Sequence, residues 1–383
     1  MTSTLSPLRR LFTPIHPLQP GLYHYQSPPD DPRNYRLHLR LEQDGSGVLI
    51  VNASTILHLN QTAAEYAYYL VQNEPASQVA RRMAARYRVS KEQARQDYEE
   101  LSNRIQTLIE VPDLDPVTFL GFERQLPFTG QLTAPYRLDC ALTYRLPEVS
   151  APDSAPIERV ARELNTEEWK SILDKAWEAG IPHIVFTGGE PTLRDDLPEL
   201  VAHAEQLGQV SGILSDGLRL ADEVYLGKLL LAGLDHLMIV LDPGNEQSWQ
   251  AVGNAMVEDL SVTVHLTLTS GNREFFIAYL ERLTAMGVRQ VSLSTVSAAL
   301  ANDLRLARER LAALNVELVW NLPVPYSALH PVALETGSQQ LEGAGRAWLY
   351  LEPDSDVRPS QGDKRLLGNF LTDPWEKIWK GAA

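Results

Sequence analysis

Gly188, Gly189, Glu190 and Pro191 follow the apolar run IVFT and precede the helical pattern DDLPELVAHAEQLG. Paired glycines let a backbone turn sharply or come close to a ligand. A loop so shaped can hold a small polar ligand, and a proline suits a helix start. The same residues also suit a structural task, in which the glycines allow tight passage and Glu190 accepts from backbone donors. Asp139, Asp216 and Asp242 stand in or at the end of other apolar runs, where with Glu190 they could offer oxygen ligands to a cation. Their spacing matches no metal motif. His265, in the middle of VTVHLTL, is a candidate acid or base or else a satisfied structural histidine. Cys140 is the sole cysteine, which excludes an internal disulfide and any multi-cysteine metal site within the chain. It reads as a small core residue. No catalytic residue is assigned.

The elements that must position these groups follow from periodicity. From residue 135 the runs YRLDCALTYRL, HIVF, VSGIL, HLMIVL, VTVHLTLT, RQVSLSTV and VELVW alternate with helical stretches. In the first of these stretches Asn165 and Glu168 form a capping pattern, with Trp169, Ile172, Leu173 and Ala176 on one face. The alternation predicts an α/β fold with a parallel sheet, a partial (β/α)6 barrel over residues 135–320, with function on the loops after the strands. Upstream, Tyr35, Leu37, Leu39 and Leu41 alternate as in a half-buried strand, and three helical patterns follow. The last of these is capped by Ser90, with Gln93 three residues on. Residues 35–110 therefore read as a small α+β, winged-helix-like domain. Residues 1–34 read as an N-terminal arm, 111–134 as a linker, and 321–383 as a short extension or lid.

Composition narrows the function. A chain of 383 residues with 44% hydrophobic and 22% charged residues is ordinary for a globular protein. The net charge of −15 argues against nucleic acid, which needs a basic footprint. No apolar run approaches the ~20 residues of a membrane span, and the N-terminus has no apolar signal region. The expectation is a cytoplasmic protein.

The segment GIPHIVFTGGEPTLRDDLPEL resembles the glycine-glycine-glutamate-proline segment of the radical S-adenosylmethionine (radical SAM) superfamily. In the same order, PYRLDCALTYRL resembles that family's first barrel strand, GILSDGLRL its threonine-asparagine-glycine turn, and HLMIVLDPGN its strand end at the ribose. WLYLEPDSDVRPSQGDKRLLGNFLTDPWEKIW resembles its C-terminal SPASM or twitch extension. VPYSALHPVALE is similar to the branch that crosslinks the precursor peptide of pyrroloquinoline quinone. Residues 35–110 resemble a peptide-chaperone domain, the RiPP recognition element (RRE), where RiPP denotes a ribosomally made and later modified peptide. The resemblance implies a cofactor loop at Gly188, Gly189, Glu190 and Pro191, joined by Ser215, Asp216 and Asp242. It also implies a leader-peptide groove between the strand at 35–41 and the helix at 90–109. Leu37, Leu39, Leu41, Asp97 and Leu101 would contact the peptide, which would add a strand to the sheet.

One departure alters the function. The family holds a 4Fe–4S cluster on three cysteines spaced C-x3-C-x2-C after the first barrel strand. Here those positions fall on Leu146, Ser150 and Asp153, and in the extension Ser360 stands where a cluster cysteine is expected. Iron–sulfur clusters need thiolates, so no such cluster is expected. S-adenosylmethionine, if bound at all, would lack its iron anchor. The reading is a radical SAM-like pseudoenzyme that binds a precursor peptide or a protein partner, such as an active modifying enzyme. The alternatives are an enzyme using the barrel cavity for cluster-independent chemistry, and a non-catalytic subunit of a larger redox complex.

Overall fold

The computed structural model describes residues 16–28, 30–52, 55–111, 132–147, 154–320, 322–336 and 342–382. The chain divides into two compact units, Met1–Leu132 and Thr133–Ala383.

In the first unit, β1 (Gly21–Gln26), β2 (Arg36–Leu41), β3 (Gly47–Val51) and β4 (Thr55–Leu59) form an antiparallel sheet in that order. Period-2 alternation puts Leu37, Leu39 and Leu41 on one face. There they meet Leu49, Val51, Leu57 and Leu59 from the neighbouring strands. Three helices follow, α1 (Gln61–Val71), α2 (Ala76–Arg86) and α3 (Lys91–Glu110). Asn60 and Ser90 cap α1 and α3 by accepting from Ala63 N and Gln93 N. Ala64, Ala67 and Val71 of α1 and Ile105 of α3 close the core over the sheet.

Two expectations are corrected here. Residues 21–26, read as part of the arm, form β1 and pair along the whole of β2, with Tyr23 opposite Leu39. The anticipated open edge at residues 35–41 is therefore taken by the chain itself. Leu37, Leu39 and Leu41 do not line a groove, because alternation turns them into the core, where Leu39 has no exposed surface. Leu101 packs against the same core, and Asp97 accepts a hydrogen bond from Gln93 of its own helix.

In the second unit, β5 (Arg137–Thr143), β6 (His183–Gly188), β7 (Val210–Ser215), β8 (His236–Val240), β9 (Ser261–Leu268), β10 (Gln290–Thr295) and the short β11 (Glu317–Leu318) run parallel in chain order. Helices α4 (Thr166–Glu178), α5 (Leu197–Leu207), α6 (Glu223–Leu231), α7 (Glu246–Met256), α8 (Phe276–Ala285) and α9 (Ala301–Ala313) separate β5 to β11. The capping box of Asn165 and Glu168 starts α4, and Trp169, Ile172, Leu173 and Ala176 are buried against the sheet. The C-terminal stretch is not a detached lid. Its β12 (Trp348–Leu351) adds parallel to β5, and β13 (Asp356–Arg358) and β14 (Gly368–Asn369) continue the same sheet antiparallel. Two helices, α10 (Val332–Thr336) and α11 (Trp375–Ala382), complete it. The ten-stranded sheet begins at β11 and ends at β14, so its hydrogen bonding stays open. No described helix is long and apolar enough to cross a membrane.

Leu39 tests the core assignment. Leu39→Ala is expected to cost about 2–5 kcal/mol of first-unit stability, read by urea unfolding. A loss below about 0.5 kcal/mol, the surface range, would return Leu39 to an exposed position.

Candidate functional site

The loop after β6 is built by close backbone approach. Gly188 has φ +128°, and a Cβ there would lie 2.2 Å from the Thr143 carbonyl oxygen; at Gly189 it would lie 2.3 Å from that of Arg145. Those carbonyls accept from Gly189 N (2.8 Å) and Glu190 N (2.9 Å), sealing the loop to the segment after β5. Any side chain at either glycine would break this seal.

Glu190 is 2% exposed, and its carboxylate is consumed within the chain. Oε1 accepts from Thr192 N (2.9 Å), the Thr192 hydroxyl and the Ser215 hydroxyl (2.8 Å); Oε2 accepts from Asp216 N (2.7 Å). The Asp216 carboxyl accepts from Leu218 N (2.9 Å). Burial and the adjacent Glu190 charge push its pKa up to about 8. Ser215 and Asp216 thus stand against the loop, where they support Glu190.

Asp242 does not join them. It is exposed and caps its own turn through Gly244 N. Asp139, buried on β5, is held bidentate by Arg137 at 2.6 and 3.1 Å and lines a different cavity. Of the four carboxylates weighed as a cation site, only Glu190 and Asp216 are neighbours, and Asp139 and Asp242 stand apart from them. Among the described residues no group of three or more His, Cys, Asp or Glu side chains could hold a metal ion.

The segment after β5 and the C-terminal stretch meet over the glycine loop. Leu146 packs beside Tyr144, Ala155, Tyr326 and Tyr350. Ser150 and Asp153 lie outside the described residues. Tyr326 N donates to the Gly188 carbonyl at 2.9 Å. Just upstream, Leu322 and Val324 pack onto Val185, Leu214, Met238 and Val240, side chains of β6, β7 and β8. Behind them Glu352, fully buried, pairs with Arg159 at 2.7 Å and Arg358 at 3.6 Å. Cys140 lies in the core shared with the helices, and burial pushes its thiol well above its ordinary pKa.

Beside this filled region a cavity of about 580 Å³ remains, between β9–β10 and the C-terminal stretch. His265 is on its wall, bonded to Ser292 (3.0 Å), Ser294 (3.0 Å) and Thr267 (3.2 Å). Burial and the nearby His330 lower its pKa to about 3, so the imidazole is neutral. His330 is hydrogen-bonded to Glu335, and Trp348 and Ser360 also line the space. Ser292, Ser294, His330 and Glu335 escaped sequence reasoning. The alternation of Ser292 and Ser294 in VSLST is a signal, but pairing them with His265 needs the register of β9 against β10.

The Radical SAM superfamily sequence model matches residues 140–297. A PqqA peptide cyclase of Granulibacter bethesdensis is 31% identical over 287 residues, 65% of this chain and 74% of that protein. One from Streptomyces rochei is 28% identical over 64% of this chain and 76% of its own length. Among solved structures, Streptococcus suis SuiB bound to precursor peptide SuiA superimposes with a TM-score of 0.60 at 13% identity. That match covers 93% of this chain and 88% of SuiB, and supports the shared fold. The chain belongs to the radical SAM superfamily. Within it, the chain is related to the PqqA peptide cyclases, carries C-terminal strands and helices resembling a SPASM extension, and lacks the usual cluster-binding cysteines.

The described residues do not fit that family's iron–sulfur cluster. One buried cysteine cannot supply three thiolates, and Leu146 has no ligand atom. The loop that would take an amine has its carboxylate and the Gly188 carbonyl engaged by the chain's own donors.

The Glu190–Asp216 pair carries a pH signature. A carboxyl whose folded pKa lies above its ordinary 3.8 takes up a proton on folding, so stability falls as pH rises from there to about 8. Asp216→Asn keeps the acceptor for Leu218 N–H and offers Glu190 a donor. Its melting temperature should match the parent's in acid and exceed it by several degrees above about pH 8. A difference that does not change with pH would refute the protonated pair.

Proposed function

We propose that this protein is a radical SAM-fold pseudoenzyme that binds a peptide, either a precursor peptide or an extended segment of a partner such as an active modifying enzyme. One observation carries the reading. Residues 322–326 fill the space against β6–β8 and engage the glycine loop, while the adjoining cavity of about 580 Å³ stays open. Cofactor ground has become packed core, and room for a ligand persists beside it. That volume falls within the roughly 300–1,000 Å³ of ligand sites. The relation to peptide cyclases, and the likeness to an enzyme solved with its precursor peptide, favour a peptide as the occupant.

The first unit is read as an RRE-type peptide-recognition domain. With β2 paired on both sides, strand addition there has to use the outer edge of β1 or β4. A second reading, cluster-independent chemistry, draws on the neutral His265 and the His330–Glu335 pair on the cavity wall.

Two measurements test the proposal. Anaerobic reconstitution with iron and sulfide is expected to give no stoichiometric iron and no paramagnetic signal after reduction; a stable 4Fe–4S signal would overturn the pseudoenzyme. Display selection with a random dodecapeptide library on the immobilised full-length protein should enrich related sequences. Enrichment no greater than on a blank surface would overturn peptide binding.

A further inference from the structure

Two residues that the C-terminal stretch contributes to the cavity wall carry buried polar atoms that make no hydrogen bond, His330 Nδ1 and Gln361 Oε1. His330 is 7% exposed. The role of each orphan atom is fixed by what the rest of its side chain does. An ionised Glu335 can only accept, so His330 Nε2 carries the proton between them, and Nδ1 of the neutral ring is an acceptor. Gln361 Nε2 donates to the Val324 carbonyl at 2.8 Å, which leaves Oε1 as an acceptor without a donor. Glu335 brings the two residues together. A Cβ at Gly362, where φ is +77°, would lie 2.9 Å from the Glu335 Cβ, so the turn carrying Gln361 rests on the residue that holds His330. Buried acceptors left unsatisfied are uncommon, and these two call for donors that the chain does not supply.

The charges of the wall close among themselves. Asp139 is held by Arg137, Glu335 is bonded to His330, and Asp363 stands beside Lys364 in the chain. An ion therefore meets no excess of countercharge here, and burying it would be costly. A hydroxyl is neutral but has one donor. A primary amide is neutral, has two N–H donors, and adds an acceptor in the same plane. Ser360 and Trp348, which line the same cavity, bring a hydroxyl and an indole N–H as donors to such an acceptor.

We propose that the cavity receives a primary carboxamide, a glutamine or asparagine side chain of the bound peptide, whose N–H groups bond to His330 Nδ1 and Gln361 Oε1. Leu293 and Leu334 line the space beside them and receive the methylene stem. Glutamate has the same shape but brings acceptors and a charge to a pair of acceptors, and a site with fixed polar partners rejects such an isostere strongly. The inference rests on the peptide-binding reading and names the side chain selected.

The test uses the full-length protein with isotope-labelled histidine nitrogens and a capped alanine–serine–glutamine–serine–alanine peptide. Nuclear magnetic resonance follows the His330 Nδ1 signal, identified by its absence from His330→Gln, which keeps a donor for Glu335. The glutamine peptide should shift that signal as Nδ1 gains a donor. Glutamate or lysine at the central position should bind at least about tenfold more weakly, equivalent to 1.4 kcal/mol. Gln361→Leu should weaken the glutamine peptide about five- to tenfold and leave the glutamate peptide unchanged. Capped glutamine alone binding as tightly as the peptide overturns the peptide as the source of the amide. Equal binding of the three peptides, or glutamine-peptide binding that leaves the His330 signal in place, overturns the pocket and leaves the peptide-binding reading intact. A signal unmoved by every probe leaves both acceptors to water and overturns the pocket alone, because the display selection judges the wider reading independently.

Discussion

Four hydrogen bonds converge on the buried carboxylate of Glu190, and the arrangement of the second unit around its glycine loop depends on them. They join the turn at Thr192 to the end of β7 at Ser215 and Asp216. A buried carboxylate so fully satisfied is stable where it stands and costly to disturb. The glycines beside it have no room for side chains, and the amides of Gly189 and Glu190 are committed to the carbonyls of Thr143 and Arg145. A motif suited to holding a ligand's amine has become a clasp between two strand ends.

A second clasp lies around Glu352. Arg159, after β5, and Arg358, on β13, meet this carboxylate where the solvent does not, with Tyr144 and Tyr350 beside it. A buried ion pair adds little net stability over apolar packing, but losing one partner leaves an uncompensated charge and is strongly destabilising. The C-terminal stretch is thereby held to the segment that in relatives carries cluster cysteines. Tyr326, bonded to Gly188, and Leu322 and Val324, packed on β6–β8, tie the C-terminal stretch further to the barrel.

These clasps divide the interior. The side over β6–β8 is filled, and the side over β9–β10 stays hollow and polar, with His265 held neutral among hydroxyls.

Much of this was legible in the residues. The single cysteine and Leu146 at a ligand position decide that the chain cannot furnish the family's three thiolates, since no folding can create them. Periodicity located β5 to β10 and their helices, and Asn165 and Glu168 marked the start of α4 because capping is a local interaction. What only the tertiary structure decided rests on contacts between distant segments. GLYHYQ carries too short an alternation to announce β1, and its pairing with β2 turned an expected peptide groove into core. The placement of β12 beside β5 joined the extension to the barrel sheet. Whether Glu190 holds a ligand or a backbone, and whether Asp139 and Asp242 stand near it, depends on which strand ends are neighbours, and a strand's own residues do not encode its neighbour. Local periodicity reports which face is buried; register and strand order are set by the summed packing of segments far apart in the chain.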